Sequence, residues 1–230
     1  MDAKAGNWVV TPRIGKPVEI QALWYSALRA MSEMSGSLHM PEQTKEYEGL
    51  AKWCRTSFNR TFWNEKDHFL YDVVHGAQKD AALRPNQIFA VSLDPTFLDG
   101  TRAQTVLKIV EKYLLTPYGL RSLSPKHSQY IGTYKGDIIK RDGAYHQGTV
   151  WSWLMGPYIT AYLKVHKYNK GAKRHAHKLL EPLTAHLSEC GLGSISEIFD
   201  GDEPHRPRGC FSQAWSAAEL LRLLICDLKE

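Results

Sequence analysis

An acidic segment at residues 193–210 contains the first side chains whose types and spacing could carry out chemistry. Its charged side chains are Glu197, Asp200, Asp202, Glu203, Arg206 and Arg208. Hydrolysis of an acetal needs two carboxyl groups on opposite sides of the bond, one protonated and one ionised. A surface loop held together by ion pairs is the alternative interpretation. A calcium loop is a third, although the spacing and the terminal Glu of an EF-hand are absent.

A second acidic position lies at the start of the chain. Asp2 is followed closely by Lys4 and Trp8, and then by Arg13 and Glu19. An acid beside an aromatic ring and a cation could act on a polar substrate. The alternative is a frayed, solvated terminus.

Polar residues also open two segments that continue as apolar helical patterns. The first is RPNQ at 84–87, and the second is YHQGTVW at 145–151. Free backbone N–H groups at the start of a helix can face a ligand. Helix capping within a buried polar network explains the same residues equally well.

These candidate sites must be positioned by helices, because helical periodicity accounts for most of the chain. Apolar residues recur at helical spacing in seven segments: 18–35, 42–62, 85–94, 101–115, 145–167, 172–188 and 211–228. Gly36 is expected to end the first helix, and Pro157 to bend the fifth. Val9-Val10 and Val73-Val74 could be short strands, but they have too few neighbours for a sheet. The sequence therefore predicts an all-α domain of packed helical hairpins.

Long polar segments connect the predicted helices and contain most of the candidate chemistry. They span residues 1–17, 63–84, 116–144 and 189–210. Loops of this length in one domain are commonly functional.

Composition narrows the class of protein. The chain has 230 residues, 43% of them apolar, and a net charge of +5, which suits a globular domain and not a dedicated nucleic-acid binder. Its four cysteines are widely spaced, and this spacing predicts neither a zinc site nor disulfides. Because disulfides are rare in a reducing compartment, the protein is expected in the cytoplasm. No apolar run approaches the length of a membrane span, and the first residues do not resemble a signal peptide.

Several runs resemble, in order, the C-terminal amylo-α-1,6-glucosidase domain of glycogen debranching enzymes. The resemblance covers essentially the whole chain. Its runs are Met1–Trp24 (MDAKAGNWVVTPRIGKPVEIQALW), Leu83–Ala90 (LRPNQIFA), Gly119–Ser124 (GLRSLS), Asp142–Tyr158 (DGAYHQGTVWSWLMGPY) and Gly193–Ala218 with its QAWS.

The resemblance implies an (α/α)6 barrel, with six inner and six outer helices and the active site at one mouth. Only about seven of the twelve helices are predicted here. Residues 1–230 are therefore expected to be the C-terminal part of a glucosidase domain, with the missing N-terminal part of the same enzyme as its partner.

The resemblance also implies inverting hydrolysis of α-1,6-linked glucose in glycogen or a branched oligosaccharide, without a metal or other cofactor. Asp2 is expected to be the general acid and Glu197 the general base. Lys4, Arg206 and Arg208 are expected to favour the charged form of Glu197. The residues expected to line the glucose subsite are Trp24, Arg84, Asn86, Tyr145, His146, Gln147 and Trp151. Trp8, Trp24 and Trp151 could stack on the sugar.

Other functions remain open at this stage. A trehalase-like or invertase-like hydrolase would share the barrel and differ in substrate. An inactive glucan-binding remnant would bind glycogen without hydrolysing it. A helical scaffold without a ligand is the third alternative.

Overall fold

Helices dominate the structure, a computed structural model that describes residues 4–94 and 97–229. Asp2 lies outside the described residues. Within them the α-helices are α1 (Val18–Ser37), α2 (Pro41–Thr61), α3 (Phe89–Ser92), α4 (Gly100–Tyr113), α5 (Ile138–Ala144), α6 (Met155–Val165), α7 (Lys170–His186) and α8 (Ala214–Arg222). Short 3₁₀ turns at Pro85–Ile88 and Ser152–Leu154 precede α3 and α6, and a π-helical turn at Leu223–Asp227 extends α8. None of the described helices combines the length and apolar character needed to cross a bilayer.

The periodicity of the sequence predicts the long helices within a few residues of their ends. The first helix, however, does not end at Gly36, which lies inside α1. The chain reverses instead at His39, whose φ of +57° is left-handed and whose N–H bonds to the carbonyl of Gly36. The turn after α1 is therefore made by His39, whereas the sequence analysis expected Gly36 to end the helix.

The predicted helix at 145–167 is wrong over its first ten residues. Gly148 has a φ of +150°, and a Cβ there would lie 2.5 Å from the carbonyl oxygen of Ile131. The chain is thus forced out of helical geometry at this position. Because α6 begins only at Met155, Pro157 stands in its first turn, where a proline needs no bend.

The prediction of an all-α chain is also incomplete, because the chain forms many short strands, most of them in the expected loops. They are β1 (Lys4–Ala5), β2 (Trp8–Val9), β3 (Lys16–Pro17), β4 (Trp63–Asn64), β5 (Phe69–Leu70), β6 (Val73–His75), β7 (Gln78–Asp80), β8 (Leu115–Thr116), β9 (Gly119–Arg121), β10 (Val150–Trp151), β11 (Ile198–Phe199) and β12 (Pro207–Arg208). Five of them form an antiparallel sheet in the order β12-β11-β10-β9-β8, and β3, β6 and β7 form another. Helix α5 likewise lies in an expected loop.

Four helices pack in a row, α1 on α3, α3 on α6, and α6 on α8. Helices α2, α4 and α7 pack on members of this row, α2 on α1, α4 on α3 and α6, and α7 on α6. Helix α4 and the 3₁₀ turn before α6 contact the five-stranded sheet at β8 and β9. Fully buried residues such as Ile88, Tyr158 and Ile159 belong to the hydrophobic core that the helices share. At the two ends of the row, α1 and α8 with its π-helical turn keep apolar side chains exposed, among them Trp24, Met34, Leu221 and Ile225.

A buried ion-pair network fixes the start of α1 against the hairpin of β6 and β7. The carboxylate of Asp72 accepts hydrogen bonds from Arg13, at 2.7 Å from Nε, and from the Asn86 amide at 2.8 Å. Arg13 also forms an ion pair with Glu19 in the first turn of α1. Burial raises the pKa of Asp72, and the charges of Arg13 and Arg84 act in the opposite direction. The network therefore depends on each charge keeping its partner.

Replacing Asp72 with Asn should lower the free energy of unfolding by about 3 kcal/mol, because the substitution removes the buried carboxylate that Arg13 and Arg84 share and leaves Arg13 with Glu19 alone. Urea denaturation measures the change. Glu65→Gln is the matched control, since it removes an ion pair between Arg102 and a carboxylate that is 78% exposed. The control should lower the free energy of unfolding by less than about 1 kcal/mol. Equal losses in the two variants would contradict a structural role for the network.

Candidate active site

The carboxylate of Glu197 is held by two hydrogen-bond donors from different parts of the chain. The hydroxyl of Tyr145 donates to Oε1, and the backbone N–H of Cys210 donates to Oε2 at 2.9 Å. The Glu197 N–H in turn bonds to the carbonyl of Cys210 at 2.8 Å. Both carboxylate oxygens are thereby oriented before any ligand arrives.

A glycine makes this arrangement possible. Gly209 has a φ of +66°, and a Cβ there would lie 2.5 Å from Oε2 of Glu197. Any other residue would be strained in this backbone conformation and would push the carboxylate away. The pairing of β11 with β12, with Ile198 opposite Arg208, brings the two positions together.

Glu197 lines a cavity of about 800 Å³ at the edge of the five-stranded sheet. A second carboxyl group, from Asp142 in α5, lines the same cavity. The further lining side chains include Tyr134, Lys135, Arg141, Arg208 and Cys210. Two carboxyl groups at one open cavity are the minimum that acid–base hydrolysis of an acetal requires.

The tyrosines beside Glu197 remain neutral donors over the physiological pH range. Burial raises the pKa of Tyr145, and its hydrogen bond to Glu197 raises the pKa further. Burial also raises the pKa of Tyr134, whose ring lies 5.7 Å from that of Tyr145. Because Tyr145 stays neutral, its hydroxyl keeps the proton with which it donates a hydrogen bond to Oε1 of Glu197.

Aromatic rings form the wall behind Tyr145. The imidazole of His146 stacks on Trp151 at 5.0 Å, and the indole N–H of Trp151 bonds to the Tyr145 carbonyl at 3.2 Å. Burial lowers the pKa of His146 to about 3, with the nearby charges of Arg84 and Arg13 acting in the same direction. His146 is therefore neutral near pH 7. Its buried Nδ1 has no hydrogen-bond partner within the described residues.

Three of the predicted subsite residues are buried and bonded to protein groups. Arg84 donates to the carbonyl of His146 and to the side chain of Gln147, both at 2.7 Å. Gln147 donates to the carbonyl of Val10 at 3.1 Å, and Asn86 donates to Asp72. Through Val10, which directly follows β2, these contacts join the N-terminal hairpin to the segment that contains Tyr145. A direct role for the three residues on substrate stays a prediction.

Of two further predicted residues, the structure describes only Trp24, which stands apart from this group. Trp24 is 56% exposed on α1 and is not among the residues lining the Glu197 cavity. Asp2 lies outside the described residues, so its distance from Glu197 is not defined. Strand β1, which begins two residues after Asp2, packs on α5, the helix that carries Asp142.

Two of the remaining acidic residues of the 193–210 segment, Asp200 and Asp202, have structural partners. Asp200 pairs with Arg208 at 3.0 Å and accepts the backbone N–H of Tyr134 at 2.8 Å. Asp202 accepts the Tyr130 hydroxyl at 2.9 Å. Arg208 thus forms its ion pair with Asp200, and its effect on the charge of Glu197 stays a prediction. Among the described residues, no group of three or more potential ligands could hold a metal ion, so the calcium interpretation gains no support.

Sequence reasoning did not select Asp142 or Tyr134 as site residues. Asp142 is part of the run that carries the resemblance, but no local pattern indicated that it would line the same cavity as Glu197. Tyr134 lies in a segment expected to be a plain loop. Only the fold brings these residues together, because α5 turns Asp142 toward strands that lie far away in sequence.

Comparison with known proteins places this site in a family. A family model described as amylo-alpha-1,6-glucosidase matches residues 1–222. The glycogen debranching enzyme of Saccharomyces cerevisiae is 25% identical over 269 residues, covering 96% of this chain and 18% of that protein. The chain therefore spans less than a fifth of the curated relative it matches.

Solved structures share the fold at lower identity. A chain named sialidase has a TM-score of 0.70 at 15% identity, covering 93% of this chain and 20% of the other. A GH63 mannosylglycerate hydrolase from Thermus thermophilus, in complex with glucose, has a TM-score of 0.65 at 18% identity, covering 89% of this chain and 46% of the other. The family model, which spans nearly the whole chain, shows that this protein belongs to the amylo-α-1,6-glucosidase family.

Proposed function

We propose that this chain is a glycoside hydrolase domain that removes α-1,6-linked glucose from branch points of glycogen-like glucans by an inverting mechanism. The observation that carries the proposal is the orientation of Glu197 by Tyr145 and the Cys210 amide at an open cavity. Family membership supports the substrate class.

In the proposed reaction Glu197 is the general base. Its ionised carboxylate takes a proton from a water molecule, which attacks the anomeric carbon as the bond to the leaving oxygen breaks. A carboxylic acid on the other side protonates that oxygen. Inverting enzymes hold the two carboxyl groups about 6.5–9.5 Å apart to leave room for the water.

Asp2 is the proposed acid, on the strength of the family resemblance. Strand β1, which begins two residues after Asp2, packs on α5, the helix that carries Asp142, and this packing supports the assignment. Asp142 is the competing candidate, because it lines the same cavity as Glu197.

The proposed architecture is an incomplete (α/α)6 barrel. With the short α5 left aside, the described helices comprise four in one row (α1, α3, α6 and α8) and three outside it (α2, α4 and α7). The apolar side chains exposed at both ends of the row support a barrel that continues beyond these helices. We propose that the N-terminal part of the same enzyme covers them.

The alternative is a glycoside hydrolase with a different substrate, because the fold also resembles that of a mannosylglycerate hydrolase. A panel of α-1,6-branched dextrins, trehalose, sucrose and mannosylglycerate distinguishes these substrates. A preference for trehalose, sucrose or mannosylglycerate over the branched dextrin would reject the proposed specificity. Binding of glucan without hydrolysis of any substrate would identify an inactive remnant.

Glu197→Gln should lower kcat for glucose release from a branched dextrin by about 10²–10⁴-fold, because loss of a general base costs this much. The control is Glu203→Gln, which removes an exposed carboxylate from the same segment and should leave kcat unchanged. Circular dichroism verifies that both variants fold. Unchanged turnover in Glu197→Gln would rule out this residue as the base.

The acid can be identified with a substrate that needs no protonation of its leaving group, such as α-glucosyl fluoride. Asp2→Asn should lose about 10²–10⁴-fold on the branched dextrin and retain hydrolysis of the fluoride. Asp142→Asn should not show this selective loss. If Asp142→Asn shows it and Asp2→Asn does not, the assignment of the acid is reversed.

Tyr145→Phe should lower kcat about tenfold with little change in KM, because the hydroxyl orients Glu197 and does not bind sugar. Tyr168→Phe is the matched control, since it removes a hydrogen bond from tyrosine to the carboxylate of Asp227, remote from the cavity. A large rise in KM with unchanged kcat would instead mean that Tyr145 binds the substrate directly.

A further inference from the structure

His186, the last residue of α7, is buried beside the segment that carries Glu197. The residue is 1% exposed, and its Nε2 lies 3.0 Å from the hydroxyl oxygen of Ser196, which directly precedes Glu197. The backbone N–H of Ser196 also donates to Nε2, at 3.4 Å. On the other side of the ring, Nδ1 lies 3.4 Å from a carboxylate oxygen of Glu189. The histidine therefore joins the end of α7 to the backbone that leads into the candidate base.

These partners determine which ring nitrogen of His186 carries the proton. A backbone N–H can only donate a hydrogen bond, so the contact from the Ser196 N–H requires an unprotonated Nε2. The ring proton then lies on Nδ1, which faces the carboxylate of Glu189. The Ser196 hydroxyl donates to the same Nε2. Two donors of Ser196 thus depend on a single acceptor that His186 supplies.

Aromatic rings on two sides fix the plane of the imidazole. The ring of Phe199 in β11 meets the His186 ring edge-on, with centroids 4.9 Å apart, and the ring of Tyr118 lies edge-on at 6.2 Å. Phe199 and Tyr118 stack on each other at 4.4 Å. Packing as well as hydrogen bonding therefore holds the acceptor atom in place.

Serine hydroxyl groups hold the carbonyl of Ser196. The Ser152 hydroxyl donates to this carbonyl at 2.7 Å, so the hydroxyl of Ser216, 2.8 Å away, is the donor to Ser152. Both Ser152 and Ser216 are buried. Since the Tyr145 hydroxyl already holds the carboxylate, Glu197 is restrained at its side-chain end and through the backbone before it.

We infer that His186 is a positioning residue for the general base: as the Nδ1–H tautomer it fixes the backbone of Ser196, and thereby the place from which Glu197 reaches the attacking water. The inference rests on the proposed function, in which Glu197 activates that water. His186 does not line the cavity of Glu197, so it acts only through other residues. Because misplacing a reacting group by about 1 Å can lower the rate about 10²-fold, loss of this contact should reduce kcat.

The nitrogen chemical shifts of the His186 ring, measured by NMR, identify the tautomer whether or not the chain hydrolyses any substrate. The expected spectrum shows a protonated Nδ1 and an unprotonated Nε2. His177, an exposed histidine on the same helix, provides the internal reference. A proton on Nε2 would overturn the inference, since the Ser196 N–H could not then donate to that atom.

Kinetics with a branched dextrin test what the contact does. His186→Leu should lower kcat about tenfold and leave KM within about twofold, because the contacts to substrate are unchanged. His186→Gln should retain most of kcat, since its amide oxygen can accept from Ser196 in place of Nε2. His177→Leu is the matched control on the exposed face of α7 and should leave both constants unchanged. Should His186→Leu fail to fold, Ser196→Ala removes only the hydroxyl donor, with an expected loss of about threefold in kcat.

A double variant distinguishes positioning of the base from general damage to the fold. In Glu197→Gln the base is already absent, so adding His186→Leu should lower the remaining kcat by less than about twofold. Losses that multiply in the double variant, or a large rise in KM in His186→Leu, would overturn the inference. Full kcat in Glu197→Gln alone refutes the proposed function and the inference together. A loss of kcat in Glu197→Gln without one in His186→Leu refutes the inference alone.

Discussion

The hydrogen bond between the Tyr145 hydroxyl and the Glu197 carboxylate is the contact on which the candidate site depends. It joins residues 52 positions apart in the sequence. The antiparallel pairing of β10 with β11 sets the two segments side by side, with Trp151 opposite Ile198. Because β10 and β11 have only two residues each, the hydrogen bonds on either side of these strands must hold their register. The Cys210 amide and the close approach of Gly209 complete the restraint on the carboxylate.

Buried polar contacts support this restraint from behind. Arg84 bonds to the carbonyl of His146 and to the Gln147 side chain, and Gln147 bonds to the carbonyl of Val10. Arg84 also lies beside Asp72, the centre of the ion-pair network at the start of α1. The N-terminal hairpin with Trp8, the segment with Tyr145 and the first helix are thus parts of one connected structure. This explains why residues that look like substrate ligands in the sequence can be buried and still matter to the site.

Much of the helical layer could be predicted from the sequence, because α1, α2, α4 and α7 each have an apolar stripe at helical spacing. The strands could not be predicted, since strands of two or three residues have no periodicity and form only through partners that are distant in sequence. The error at 145–167 has the same origin. Gly148 lies against the backbone at Ile131, a contact that overrides a helical pattern. Within the site, the resemblance selected Glu197 and Tyr145, but only the fold revealed that they bond to each other and that Glu197 shares a cavity with Asp142.

The central claim is that Glu197 acts on the face of the sugar opposite the leaving group. Azide can replace the activated water when the base is removed, and the stereochemistry of the product then identifies the face of attack. Glu197→Ala should hydrolyse α-glucosyl fluoride poorly, and sodium azide should restore its turnover with β-glucosyl azide as the product, measured by proton NMR. No restoration by azide, or formation of the α-azide, would contradict the account.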